Sequence, residues 1–211
     1  MRKSVNQPIT TTIDLLRHGE CEDGHCYRGS IDVALSAKGR EQMSAKIALV
    51  KPQWQVVVAS PLIRCAHFAQ GVASDYNLPI DIEDNLREIS FGDWEGQSID
   101  MVWKTQRMRV EAWGRDPVNN PPPNGEAADD FSTRVVAGFS AAIQRHRGEH
   151  MLLVSHGGVM RALLAYVLSM PVAEMNRFDI PFACLSRIQI THADERDYYR
   201  LHHHNINHDV L

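Results

Sequence analysis

Ile13-Asp14-Leu15-Leu16-Arg17-His18-Gly19-Glu20 runs from an apolar strand pattern straight into a charged turn. A second phrase of the same build, Met151-Leu152-Leu153-Val154-Ser155-His156-Gly157-Gly158, stands far downstream. Short apolar runs bounded by polar residues predict buried strands, here over 13–17 and 151–154. Each ends in His-Gly. In open α/β sheets, ligands bind outside the carboxyl ends of the strands. The two phrases therefore predict two buried strands that deliver two imidazoles to one site.

The segments between them supply the other layers. Cys21 to Asp32 reads as a loop. Ser36 predicts an N-cap, with Met43, Ile47 and Val50 at helical spacing behind it. Val56-Val57-Val58-Ala59 is a buried β-branched run and so a strand. Ser60-Pro61 reads as the cap and first turn of a helix, whose apolar stripe is Leu62, Ala66, Ala69 and Ala73. Pro79 to Ile82 is a short strand, and Leu86 to Gly96 a loop. Ser98 caps a helix carrying Ile99, Val102, Trp103, Val110 and Trp113. The prolines of Asp116 to Gly125 exclude helix there. Phe131, Val135, Phe139 and Ala142 mark an amphipathic helix, and Val159 to Leu168 a buried one. Leu185 to Ile190 predicts a strand near an edge, with Tyr198 to Leu201 as its partner. Alternating strands and helices predict a three-layer α/β/α sandwich around a largely parallel central sheet. All 211 residues read as one domain, with a small helical cap-like insertion over about 90–125.

The bulk properties are those of an ordinary globular chain, 44% hydrophobic and 23% charged. A net charge of −4 implies no general affinity for nucleic acid or membrane surfaces, so any attraction for anions is local. The polar stretch Met1 to Gln7 has no signal-peptide pattern, and Val159 to Leu168 is too short to span a bilayer. The expectation is a cytoplasmic protein with Cys21, Cys26, Cys65 and Cys184 reduced. The spacing of Cys21, His25 and Cys26 is no zinc knuckle. His202-His203-His204 with His208 reads as a solvated tail rather than a metal site.

Four phrases carry chemistry. His18 is a candidate nucleophile toward phosphorus, because a neutral imidazole fixed through its other nitrogen attacks well near pH 7. Arg17 offers a planar fork for phosphate oxygens. In Ser60-Pro61-Leu62-Ile63-Arg64, a helix start attracts anions and Arg64 stands off the apolar stripe. In Leu86-Arg87-Glu88-Ile89, Glu88 is the best candidate to protonate a leaving alcohol, with Asp93 and Glu95 as competitors. A nearby phosphate dianion favours the protonated form of such a carboxyl. His156 can donate to phosphoryl oxygens, and Gly157 and Gly158 leave backbone N–H groups open to an anion. Each phrase alone also has a plainer reading: a core or capping histidine, an exposed helical arginine, loop carboxylates facing water. Together they supply two arginines, two histidines and a carboxyl group on strand-end loops, as phosphoryl transfer requires.

The set Leu16-Arg17-His18-Gly19-Glu20, Ser60-Pro61-Leu62-Ile63-Arg64, Leu86-Arg87-Glu88 and Ser155-His156-Gly157-Gly158 resembles the histidine phosphatase superfamily, also called phosphoglycerate mutase-like, across nearly the whole chain. The resemblance implies a phosphoric monoester hydrolase in which His18 becomes phosphohistidine. It implies that Arg17, Arg64 and His156 bind the phosphoryl group, that Glu88 is the proton donor, and that no metal or other cofactor is needed. Tyr27-Arg28-Gly29, Phe91-Gly92-Asp93-Trp94-Glu95-Gly96 and Pro123-Asn124-Gly125-Glu126 make the chain look most similar to the α-ribazole-5′-phosphate phosphatases of cobalamin assembly. Many members place a phosphate-contacting asparagine shortly after the first motif. Here that region reads Cys21-Glu22-Asp23-Gly24, and Arg28 is the candidate to supply the contact. The implied partner is a small phosphorylated substrate, with the chain a monomer or homodimer. The alternatives are a broad-specificity sugar-phosphate phosphatase, a phosphoglycerate mutase-type enzyme, and a non-catalytic phospho-ligand binding protein.

Overall fold

Arg17 lies opposite Ser155 in a parallel pairing of two largely buried strands, and Ala59 lies opposite Val154 in the next. That register sets the rest of the architecture. The computed structural model describes residues 9–50, 53–193 and 196–207. The N-terminal stretch read as a missing signal sequence and the residue His208 lie outside them. The elements are β1 (Ile9–Arg17), α1 (Ala37–Ala48), β2 (Val56–Ala59), α2 (Ile63–Tyr76), β3 (Ile80–Ile82), α3 (Ile99–Arg115), α4 (Ala128–Arg145), β4 (His150–Ser155), α5 (Gly157–Val167), β5 (Leu185–His192) and β6 (Asp197–His203). They form one six-stranded sheet in the order β3-β2-β4-β1-β5-β6. Pairings among β1 to β4 are parallel; β5 and β6 add on antiparallel.

Strand alternation divides the core in two. Ile13, Leu15, Met151 and Leu153 face α4 and α5, where Phe131, Val135, Phe139 and Leu163 pack. Leu16, Val57, Leu152 and Val154 face α1 and α2, against Met43, Ile47, Phe68 and Val72. The result is an α/β/α sandwich. No helix among the described residues is long and apolar enough to cross a membrane.

Local side-chain caps start two of the five described α-helices. The Ser36 hydroxyl accepts from the Gly39 N–H at 3.0 Å and caps α1. The Ser98 hydroxyl accepts from Met101 at 3.1 Å and caps α3. The α2 expectation needs correction. The helix begins at Ile63 with Leu62 as a cap without a side-chain bond, so Ser60 and Pro61 precede it. The carboxylate of Asp32, from a distant loop, accepts from Ile63 N at 2.7 Å and does the capping instead. β5 lies one strand in from the edge and pairs with the edge strand β6, as its sequence pattern predicts. Trp103 is 45% exposed beside the buried Val102 on α3, and the helix is kinked at Gln106 (φ −132°), whose Oε1 accepts from Trp94 Nε1.

One buried charge lies away from the strand ends that carry the site. Asp14 is fully buried in β1 and accepts two bonds from Arg187, directly across on β5, at 2.7 and 2.9 Å. Trp54 Nε1 at 2.8 Å and His150 Nε2 at 3.0 Å complete its shell. Burial alone raises its pKa, but hydrogen bonds and charge from His150 and Arg187 outweigh burial and hold it below the ordinary 3.8. A carboxylate whose folded pKa is depressed stabilises the fold above its unfolded value, about 3.9, and loses that contribution as pH falls through the folded one. Asp14→Asn should therefore cost roughly 3 kcal/mol in urea unfolding at pH 7, because Arg187 is left beside a neutral group. The gap between variant and wild type should shrink below about pH 4. A loss under about 1 kcal/mol at pH 7 would show that the pair adds little beyond an ordinary hydrogen bond.

Candidate active site

Because β1, β4 and β2 end in register, His18, His156 and Ser60 emerge side by side. His18 N donates to Ser155 O at 2.9 Å and Ser60 N to Val154 O at 3.1 Å, which carries the ladder one step past each strand. A cavity of ≈ 250 Å³ opens there, and Arg17, His18, Arg28, Arg64 and Glu88 line it. Gly19 permits the turn: a Cβ at that position would lie 2.1 Å from Gly39 O, so β1 and α1 meet there backbone to backbone.

His18 is 3% exposed. Its Nδ1 donates to the Gly19 carbonyl at 2.7 Å, which leaves Nε2 as the unprotonated nitrogen. Burial, then the charges of Arg17 and Arg64, hold its pKa well below the usual 6.5. The ring is therefore neutral at pH 7, with a free lone pair.

Arg17 donates to Ile180 O, and its guanidinium lies 4.3 Å from the centroid of Phe182; its Nε is buried without a protein partner. Burial lowers its pKa to about 10, so it remains cationic at neutral pH. Arg64 is fully buried in the first turn of α2. It donates to Gly29 O at 2.8 Å, Ile31 O at 2.7 Å and His156 Nδ1 at 3.2 Å. One N–H on each terminal nitrogen stays uncommitted. Arg28 is 7% exposed, pairs with Asp23 at 2.6 Å and donates to Gly24 O. The segment Cys21-Glu22-Asp23-Gly24 thus holds an arginine against the cavity.

Glu88 takes bonds from Ile89 N and Gly158 N, both at 3.0 Å. The Gly158 N–H expected to face an anion is committed to this carboxylate. A Cβ on Gly158 would come within 2.4 Å of Glu88 Oε1, so glycine is what lets the carboxylate reach the start of α5. Gly157 plays the same part for Arg17, whose Nε would lie 3.2 Å from an added Cβ. Asp93 accepts from Asn124, and Glu95 from Ser30 and Phe91. Neither lines the cavity, which leaves Glu88 as its carboxylate.

His156 stands 5.4 Å from His18, centroid to centroid. It is fully buried behind the cavity wall rather than on it. Its Nδ1 accepts from Arg64, so Nε2 carries the proton, and that N–H donates to Ser60 Oγ at 2.7 Å. In this arrangement His156 fixes Arg64, and a phosphoryl contact requires Nε2 to exchange Ser60 for the ligand.

Arg161, inside the apolar run Val159 to Leu168, is passed over in the sequence analysis. It stands in α5, lines the cavity and donates to Phe178 O at 3.2 Å. The signal was there: a single cation in a helix apolar nearly all round, one turn after His-Gly-Gly. The cap helix α3 closes the cavity through Ile99 and Trp113. Of the C-terminal histidines, His204 is tied to Ser186 and to Asp179 O.

Comparison with known proteins agrees with this geometry. Residues 13–205 match the model of the histidine phosphatase superfamily (branch 1). The adenosylcobalamin/alpha-ribazole phosphatase of Escherichia coli (strain K12) is 34% identical over 180 residues, 83% of this chain and 88% of that protein. The glucosyl-3-phosphoglycerate phosphatase of Mycolicibacterium vanbaalenii is 32% identical, covering 75% of this chain and 74% of that one. The crystal structure of the alpha-ribazole phosphatase from Shigella flexneri superposes with a TM-score of 0.78 at 30% identity, over 95% of this chain and 98% of that one. With a strand-end histidine held neutral between two arginines, and a family match over nearly its whole length, the chain belongs to the histidine phosphatase superfamily and is a phosphatase.

Proposed function

We propose that this enzyme hydrolyses α-ribazole 5′-phosphate through a phosphohistidine on His18. The observation that carries the chemistry is the state of His18: neutral, pinned at Nδ1, and flanked by Arg17 and Arg64 in a cavity with one carboxylate. The substrate is proposed from the likeness to relatives named for it.

In the first step His18 Nε2 attacks phosphorus, the P–O bond to the leaving alcohol breaks, and the departing oxygen takes a proton from Glu88. Arg17 and Arg64 neutralise the equatorial oxygens, where positioned cations contribute most in a water-poor site. In the second step water attacks the phosphohistidine, Glu88 takes its proton, and the P–N bond breaks to release inorganic phosphate. Arg28, held against the cavity by Asp23 and Gly24, supplies a third cation. Arg161 adds positive field from the α5 wall.

Glu88→Gln keeps the shape but cannot deliver the proton, so kcat should fall roughly 10²–10⁴-fold with KM little changed. Retention of near wild-type kcat would remove Glu88 from the mechanism. In a panel of phosphomonoesters, α-ribazole 5′-phosphate should show the highest kcat/KM, with stoichiometric phosphate release. Interconversion of phosphoglycerates without phosphate release would instead make the enzyme a mutase. Arg28→Ala should raise KM about tenfold, as expected for a lost charge-assisted contact; an unchanged KM would exclude Arg28 from phosphate binding.

A further inference from the structure

The phosphate end of the cavity accounts for Arg17, His18, Arg64 and Glu88, but not for the wall opposite. Tyr27, Phe91 and Trp113 stand there within 5.0 to 6.4 Å of one another, mostly edge to face. Ile99 and Met175 fill the gaps between them. The fully buried Trp94 backs the group, its ring 5.3 Å from Tyr27 and 6.0 Å from Trp113. Backbone bonds hold this wall in place: Tyr27 N donates to Gln97 O at 3.1 Å, and Gly96 N to Tyr27 O at 2.8 Å.

Its polar groups are few. Tyr27 is 9% exposed, yet its hydroxyl has no hydrogen-bond partner among the described residues. Asn176 spends its amide N–H groups on Trp113 O and Gly114 O, at 3.3 and 3.4 Å, which leaves one carbonyl oxygen. A polyhydroxylated leaving group would lose water from several hydroxyls here and find on this wall only these two groups and the buried, unpartnered Trp113 Nε1–H in return, an unfavourable exchange. A flat ring stacks on such a wall without that penalty and gains ring–ring contacts that a polyol cannot make.

We propose that Tyr27, Phe91 and Trp113 form the subsite for an aromatic ring carried by the leaving alcohol, with the Tyr27 hydroxyl donating to a ring acceptor atom. The enzyme then selects aryl-bearing phosphomonoesters over sugar and sugar-acid phosphates. This rests on the cavity being the site of phosphate release. It agrees with α-ribazole, whose benzimidazole has one ring nitrogen free to accept, but does not depend on that substrate.

The test uses two matched pairs: α-ribazole 5′-phosphate against ribose 5-phosphate, and benzyl phosphate against glycerol 3-phosphate. Wild type should favour the aryl member of each pair in kcat/KM. Trp113→Ala should lower kcat/KM for the aryl member about tenfold more than for its partner, chiefly through KM. Tyr27→Phe, which keeps the ring, should act on α-ribazole 5′-phosphate and spare benzyl phosphate, which has no acceptor in its ring. Equal losses on both members of a pair would reduce the wall to a structural role and overturn the proposal. So would a wild-type preference for the sugar phosphates. If instead no ester released phosphate, or His18→Ala released it as fast as wild type, the functional reading itself would fall. Aryl preference on benzyl phosphate with poor turnover of α-ribazole 5′-phosphate would keep the subsite and reject that substrate.

Discussion

Arg17 and Arg64 are cations, the first partly and the second fully buried, whose protein partners are carbonyls, an aromatic face and an imidazole. That single circumstance organises the site. A guanidinium out of water needs compensation, and neither arginine forms a salt bridge to a carboxylate among the described residues. The compensation comes from polar groups that fix each fork in direction while leaving its charge unspent. Burial, reinforced by the resulting field, keeps His18 neutral, and the field makes the cavity a place that a phosphate dianion satisfies better than any protein group present. In a chain with net charge −4, this concentration of positive charge is local.

Holding these cations in place requires the fold. The parallel register of β1 with β4 and β2 puts three chain turns at one level. Glycines at 19, 157 and 158 then let backbone, arginine and carboxylate approach more closely than any side chain would permit. The loop 21–32 has two roles in this. Its carbonyls at Gly29 and Ile31 clamp Arg64, and its Asp32 carboxylate caps the helix that carries Arg64. The contrast with Asp14 is instructive. There a buried charge is fully paired and serves the sheet; at the strand ends the charges are left incompletely paired and serve a ligand.

Much of this was legible in the residues because it is local. β-Branched runs and His-Gly strand ends are read within a few positions, and so are the Ser36 and Ser98 caps. What escaped is tertiary. Ser60 has the look of a helix cap, yet its hydroxyl meets the proton of His156, and the cap comes from Asp32 on another segment. Trp103 and Val102 stand side by side on α3, and only the packing of the helix shows that Val102 is the one buried. Arg161 was overlooked because its neighbours in sequence are apolar, and only the packing of α5 against the cavity gives it a role. The engagement of His156 by Arg64 and Ser60 could not be read from spacing either, since all three lie on different elements.

The central claim is that His18 carries the phosphoryl group between the two half-reactions. Rapid quenching with substrate labelled at phosphorus tests it directly. The account predicts a label on the protein that is stable to alkali and labile to acid, that maps to His18, and that forms at least as fast as phosphate is released. Release of phosphate at the wild-type rate with no protein-bound label, or with the label on another residue, would contradict it.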